Sequence, residues 1–357
     1  MTDTFFPFKK TGFLLLAAIL ATIFASCAGS PSAGSPSSRS VPLWVTDPAR
    51  AYPDNEWLSV VEEEVDMRTA ERAAVARLAQ VFRVDLNVVT NANRQFAEAV
   101  DSVRGQTVSS DSREFAQELV STSVVSGLIG LQVESWADRG GRAFANARMN
   151  RRECSARYSA MIRENEQVIG RLQEEAARHP ETFEAFQMLN LAHSFALVTD
   201  NLHTLLTVLD PSTISRRPSY GNAEAVKSLA QSAGRAIIVT VNVNGDTGDR
   251  IAKAFTECLN SRGFRTNAGG ANPYSLAASF SLEDVDLGNP RNKFVRYILT
   301  CSLRNRQGVE ILSFSENQRE GHLTESEARQ RAIRTAEQSI GSTGFAVNFD
   351  AFLASLL

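Results

Sequence analysis

Two long apolar stripes with helical spacing, separated by a single break, constrain this chain more than any other feature. Between residues 151 and 178, side chains at 154, 158, 161, 165, 168, 172 and 176 recur in steps of three and four. That spacing lays one continuous stripe along a helix. His179-Pro180 interrupts the run, and a more apolar helical stretch follows, carrying Phe183, Phe186, Leu189, Phe195, Leu202, Leu206 and Leu209. Asp210-Pro211 stops it. Two long helices joined by a short break bury their stripes most economically as an antiparallel hairpin, assigned here to residues 151–211.

The flanks have strand character. Residues 57–65 read as a strand, and 67–82 as a helix with apolar side chains at 67, 70, 74, 78 and 81. Residues 84–111 give no clear pattern. Alternation then returns at Ile129, Leu131, Val133 and Ser135, and again at Ala143, Ala145, Ala147 and Met149, with Arg139-Gly140-Gly141 as the turn between them. The first domain, residues 41–150, therefore reads β-α-(β)-β-β. Residues 212–234 read as a linker and short helix.

The last domain, residues 235–357, opens with a strand alternating at Ile237, Val239, Val241 and Val243. Asn244-Gly245-Asp246 turns it into an amphipathic helix, capped by Asp246 or Thr247, that stops at Gly263. Strands follow at 276–282, 295–303 and 309–314, the last two joined by Asn305-Arg306-Gln307-Gly308. Thr324-Glu325-Ser326-Glu327 is a capping box for a final helix, broken at residues 341–344 before an apolar segment that docks back. The expected fold is α+β: two small β-α-β-β-β-α-like domains separated by a long antiparallel helical hairpin.

The N-terminus has a different logic. Lys9 and Lys10 precede an uncharged apolar run from Gly12, which ends at Phe24, Ala25 and Ser26 just before Cys27. The run is short for a membrane span and suits an export leader, residues 1–26. Small residues before a cysteine resemble the lipobox of bacterial lipoproteins, with Cys27 as the lipidated residue. Residues 27–40 are a Gly/Ser/Pro tether without hydrophobic periodicity. Several acyl chains on one cysteine make a stable anchor. Ala28 after the cysteine, where no Asp stands, favours the outer membrane by analogy with lipoprotein sorting.

Charge and composition exclude some classes. The formal charge of −3 becomes −4 when the leader removes two lysines and one aspartate. A mildly acidic chain offers no counterion-release term for nucleic acid and no polybasic stretch for an acidic bilayer. With Cys27 lipidated, three cysteines remain, an odd count that allows one internal bridge at most. Cys258 and Cys301 are the candidate disulfide pair.

Chemistry is sparse. Of the four histidines, His179 sits at a helix break and His193 and His203 read as partly buried polar residues of one helix; with His322 they give no ligand set, and the expectation is no metal and no cofactor. The acidic run Glu62-Glu63-Glu64 with Asp66 reads as a solvated edge, as does the basic cluster of Arg139, Arg142, Arg148, Arg151 and Arg152. There is no phosphate loop, nucleophile elbow or Cys/His pair. The chain is expected not to be an enzyme.

Pro42-Leu43-Trp44-Val45, Tyr52-Pro53, the strand from Trp57 and the Ala-rich helix from Thr69 to Leu78 resemble the LPP-twenty lipoprotein family and the related N-terminal domain of the flagellar accessory protein FlgT. The resemblance covers residues 40–165. Ser59-Val60-Val61-Glu62 stands where the family has a small, Gly-containing strand start. In topology alone, the last domain is similar to envelope-assembly domains such as those of FlgT and the curli secretion lipoproteins. The resemblance implies a surface or periplasmic lipoprotein with no catalytic residues to carry over. The expected function is a non-enzymatic docking or assembly module, held to the outer membrane by its lipid, with envelope proteins as partners and flagellar or secretion structures as the setting. The alternative is a lipoprotein that binds a small envelope ligand, glycan or lipid, in an interdomain cleft.

Overall fold

The computed structural model describes residues 40–82, 94, 97, 128–138, 140–268, 272–288 and 291–357. The leader, Cys27, the tether up to residue 39, most of the stretch 84–111 and Arg139 lie outside the described residues. Residues from Pro42 onward form one unit.

Two short helical turns, α1 (Leu43–Thr46) and α2 (Pro48–Ala51), lead into β1 (Trp57–Glu64). Asp66 then caps α3 (Met67–Val81) by accepting the Thr69 N–H at 2.9 Å. β2 (Gln132–Ala137) and β3 (Ala143–Asn150) complete a three-stranded sheet of order β1-β3-β2, antiparallel throughout. β2 starts later than the alternation from Ile129 suggests. Gly130 has a φ of +83°, and Leu128 and Ile129 are buried ahead of the strand. Ala70, Ala74 and Leu78 of α3 pack on Ala143, Ala145, Ala147 and Met149 of β3. Small side chains on both surfaces let helix and sheet approach closely.

The hairpin is α4 (Arg151–Arg178) and α5 (Phe183–Leu209). It is antiparallel, because Arg151 at the start of α4 donates to the carbonyls of Val208 and Leu209 at the end of α5, at 2.8 and 3.1 Å. Asn165 and Thr199 meet across its middle in a buried hydrogen bond of 3.0 Å. α5 is apolar nearly all round because it is covered by α4, by α6 (Ala223–Ala236) and by the C-terminal helix.

The last part is a five-stranded sheet of order β5-β4-β6-β7-β8. Its strands are β4 (Ile238–Asn244), β5 (Arg265–Asn267), β6 (Tyr274–Val285), β7 (Lys293–Arg304) and β8 (Glu310–His322). β4 is parallel to β5 and β6, and the remaining pairs are antiparallel. Three helices cover one face: α7 (Arg250–Ser261), α8 (Glu325–Gln338) and α9 (Phe345–Ala354), with a π-turn (Ser339–Thr343) between the last two. The opposite face shows small polar side chains such as Ser279, Ser281, Thr300, Ser313 and Ser315, and no helix covers it among the described residues. The β4–α7 turn needs glycine at 245, where φ is +82° and a Cβ would lie 2.1 Å from the Phe280 carbonyl oxygen. Asp246 does cap α7, although Asp249 occupies the terminal position: its carboxylate accepts the N–H groups of Arg250 and Ala252 at 3.2 and 2.9 Å.

An α+β chain with two sheets and a long hairpin is thus observed. The described residues do not carry the expectation of two like domains in detail. Among the described residues, β1 pairs antiparallel with the last strand of its sheet, whereas β4 pairs parallel with β6. The two sheets, as described, therefore differ in strand pairing.

Candidate functional site

The motif that carries the lipoprotein resemblance forms a strap on the first sheet. Alternation along β3 turns Arg148 to the face opposite α3, together with Trp57 of β1 and Gln132 and Glu134 of β2. The Arg148 guanidinium lies 4.5 Å from the Tyr52 ring centre and 5.9 Å from that of Trp57. It also donates to Glu134 at 2.7 Å and to Gln132 at 3.2 Å. These contacts, chiefly the Arg148 hydrogen bond with a smaller part from the Tyr52 hydroxyl, hold the Glu134 carboxyl below the usual range against the opposing effect of burial. Arg151 joins the same network: its N–H and Nε reach the carbonyls of Glu56 and Asp54, each at 2.8 Å. Arg148 and Arg151 are therefore built into the fold, which corrects the reading of this basic cluster as a solvated edge. Arg142 keeps that role, exposed beside Asp138 and Glu63.

A second polar cluster lies where the hairpin meets the segment after it. His203 Nε2 is buried 3.8 Å from Glu166 Oε1, beyond hydrogen-bond length, while Arg216 holds the other Glu166 oxygen at 3.2 Å. Burial pushes the His203 imidazole down, and Arg216 adds to this against the pull of Glu166. One turn away, Asp200 accepts from the Tyr220 hydroxyl at 2.7 Å and the Ala223 N–H at 2.8 Å. Both acids fasten the segment 210–223 to the hairpin. The Glu166–His203 neighbourhood depends on hairpin register, so spacing along one helix could not reveal it. No group of three or more potential metal ligands occurs among the described residues.

The surface with the clearest capacity to engage a partner is the edge made by β8. This strand is 13 residues long and, among the described residues, pairs only with β7, which gives an open edge of about 40 Å. It carries no proline, and its one irregularity sits at its start, opposite Leu303/Arg304. Of its acidic side chains, Glu310 at the start accepts from Ser302 at 2.6 Å, while Glu316 and Glu320 are turned onto the helix side. There Glu316 accepts from Ser339 and Gln318, and Glu320 from Thr335 at 2.9 Å. On the other face Ser313, Ser315, Asn317 and Arg319 are exposed. Phe294 lies over Gly321, where a Cβ would come within 2.7 Å of its ring, and Arg319 covers that ring at 5.7 Å. Native edges are usually shortened, broken by proline or bulged, and along most of its length β8 has none of these.

No family model matches the chain, and comparison with characterised proteins finds no match. Solved structures give partial likenesses. A minor lipoprotein of Acinetobacter baumannii matches at 16% identity and a TM-score of 0.27, over 31% of this chain and 94% of that one. Rare lipoprotein B of Shewanella oneidensis matches at 15% and 0.24, over 32% and 93%. A secreted protein of Helicobacter pylori matches at 11% and 0.34, over 80% and 97%. At these scores neither family nor role is carried over.

The lipid-site residues Phe24, Ala25, Ser26 and Cys27 lie outside the described residues. No described helix is long and apolar enough to cross a membrane. Cys258 and Cys301, the candidate pair, are both buried free thiols in the structure, as is Cys154. α7, which carries Cys258, rests on β4 and β5, whereas Cys301 is on β7 beneath α8. β4 and β7 are two strand spacings apart, about 10 Å, beyond disulfide reach. No large apolar side chain of the hairpin is exposed either, so the hairpin presents no greasy docking face.

Proposed function

We propose that this protein is a lipid-anchored lipoprotein of the bacterial outer membrane that docks extended segments of other envelope proteins along β8, as a non-enzymatic assembly module. The N-terminal half of this reading rests on the sequence: a basic start, an apolar run, small residues before Cys27, and a Gly/Ser/Pro tether. The likeness of residues 40–165 to the LPP-twenty and FlgT N-terminal families supports an envelope setting and suggests a flagellar or secretion structure as the place of assembly.

The observation that carries the docking reading is the unpaired outer side of a 13-residue strand, among the described residues. Unpaired N–H and C=O groups along such an edge accept an added strand, with main-chain hydrogen bonds giving affinity and exposed alternate side chains giving selectivity.

The test uses the lipidated full chain in intact envelopes, with a photo-crosslinking residue at Ser315 or Asn317 and, as control, at Arg171 on the hairpin. The expected result is a protein adduct from the strand positions that the control lacks. Recovery of lipid or glycan alone would reject docking. Proline at Asn317 and at Gln318, made separately, refines it, because neighbouring N–H groups point to opposite sides of a strand. One proline should be tolerated and abolish the adduct, and the other should destabilise the sheet. A tolerated proline that leaves the adduct intact would also reject the proposal. Labelled palmitate entering the parent chain but not a Cys27→Ser variant tests the anchor separately.

A further inference from the structure

A cleft of about 460 Å³ lies between the hairpin bend and one end of the five-stranded sheet, lined among others by His179, Pro180, Glu181, Glu184, Tyr274 and Arg306. Its volume falls within the range of small-molecule sites, about 300–1,000 Å³, and it lies at a junction of substructures, where such sites concentrate. Glu181 at its rim has a φ of +65°, a conformation uncommon for a residue with a side chain.

The chemistry of the lining narrows the ligand. Two acids, Glu181 and Glu184, stand against two bases, Arg178 and Arg306, among the lining side chains. The cleft therefore has no dominant sign to draw an anion or a cation. The side chains of Glu181, Glu184, Arg306 and Gln307 make no hydrogen bond to any described residue. Each ends in a planar group with two or more hydrogen-bonding atoms, a geometry that matches neighbouring hydroxyls on a ring. Pro180, Pro273 and Ile311 add C–H surface. Tyr274, 7% exposed, takes the Phe183 N–H on its hydroxyl oxygen at 3.4 Å, and that hydroxyl's own proton has no acceptor among the described residues.

We infer that this cleft binds a neutral oligosaccharide, held by the planar side chains against its apolar wall. This goes beyond strand docking; of β8 only Ile311, near the strand's start and away from Asn317 and Gln318, lines the cleft.

The test is calorimetric titration of the detergent-solubilised full chain with two neutral probes, N,N′-diacetylchitobiose and cellobiose, which separate an amino-sugar source from a plain hexose one. Inorganic phosphate is the charged control. One disaccharide should bind, and Arg306→Ala and Gln307→Ala should each weaken it about tenfold without changing the melting temperature, since both side chains are exposed. The tolerated proline on β8 should leave sugar binding unchanged, so failure here is distinct from failure of docking. Absence of binding by both sugars at millimolar concentration, unweakened binding in an Arg306→Ala/Gln307→Ala double variant, or binding of phosphate alone would each overturn the inference.

Discussion

The ring of Phe183 sits 4.3 Å from that of Tyr274, and the Phe183 N–H points at the Tyr274 hydroxyl. The first residue of α5 is thereby rooted in the core of the five-stranded sheet, against Phe264 and Phe349 as well, while Leu202, Leu205 and Leu209 belong to the core of the first sheet. Phe183→Ala should cost about 4 kcal/mol, as truncation of a buried aromatic usually does. It should also split one urea transition into two, because the shared helix no longer couples the cores. A single transition displaced by under about 1 kcal/mol would contradict this coupling.

Glu134 links acid sensitivity to the strap. Its folded pKa is lowered from 4.5, with Arg148 as the largest cause. Stability from this group is fully present above the unfolded value and is lost as pH falls through the folded one. A Glu134→Gln variant should be less stable than the parent at neutral pH, and the two stability curves should converge on the acid side of 4.5. Parallel curves through that window would remove Glu134 from the account. Arg148→Met should cost about 1–2 kcal/mol through lost hydrogen bonds and ring contact.

The histidines of α5 work in a higher window. Burial lowers the folded pKa of both His193 and His203 below 6.5. The folded state then binds fewer protons than the unfolded chain, so stability is complete above the unfolded value and declines as pH falls through the folded ones. Replacing both by glutamine should flatten the stability–pH curve just below 6.5. Chemical denaturation across that range reads it directly, and an unchanged slope would count against the assignment.

Thiol reactivity gives an independent check on the cores. Burial raises the Cys154 pKa to about 11 and that of Cys301 to about 12, and the thiolate is the reactive form. Iodoacetamide should label Cys154, Cys258 and Cys301 slowly in the native chain and rapidly after denaturation without reductant. Mass spectrometry showing Cys258 and Cys301 protected in the denatured, unreduced chain would mean that a bridge exists.

The hairpin was legible because its stripe is a local property, steps of three and four held over many turns. The sheet strands were legible where one face is apolar, as at Val295, Tyr297, Leu299 and Cys301 of β7. β8 shows where that signal stops. Alternation of apolar residues marks it only to Phe314, yet it continues to His322, because its second half faces α8 through Glu320 and the π-turn after it through Glu316 rather than through hydrocarbon. The part of the strand central to the docking proposal was thus hidden by its polarity. β5 escaped notice because three residues carry no period. The roles of Arg148, Arg151 and Glu166 depend on partners between 14 and 97 positions away, and no spacing rule reaches them.

α5 contributes side chains to both cores along 27 residues, a rod of about 40 Å. A load applied at one sheet is therefore passed to the other without a hinge to absorb it. If a partner strand tugs on β8, the pull arrives undiminished at the strap around Trp44.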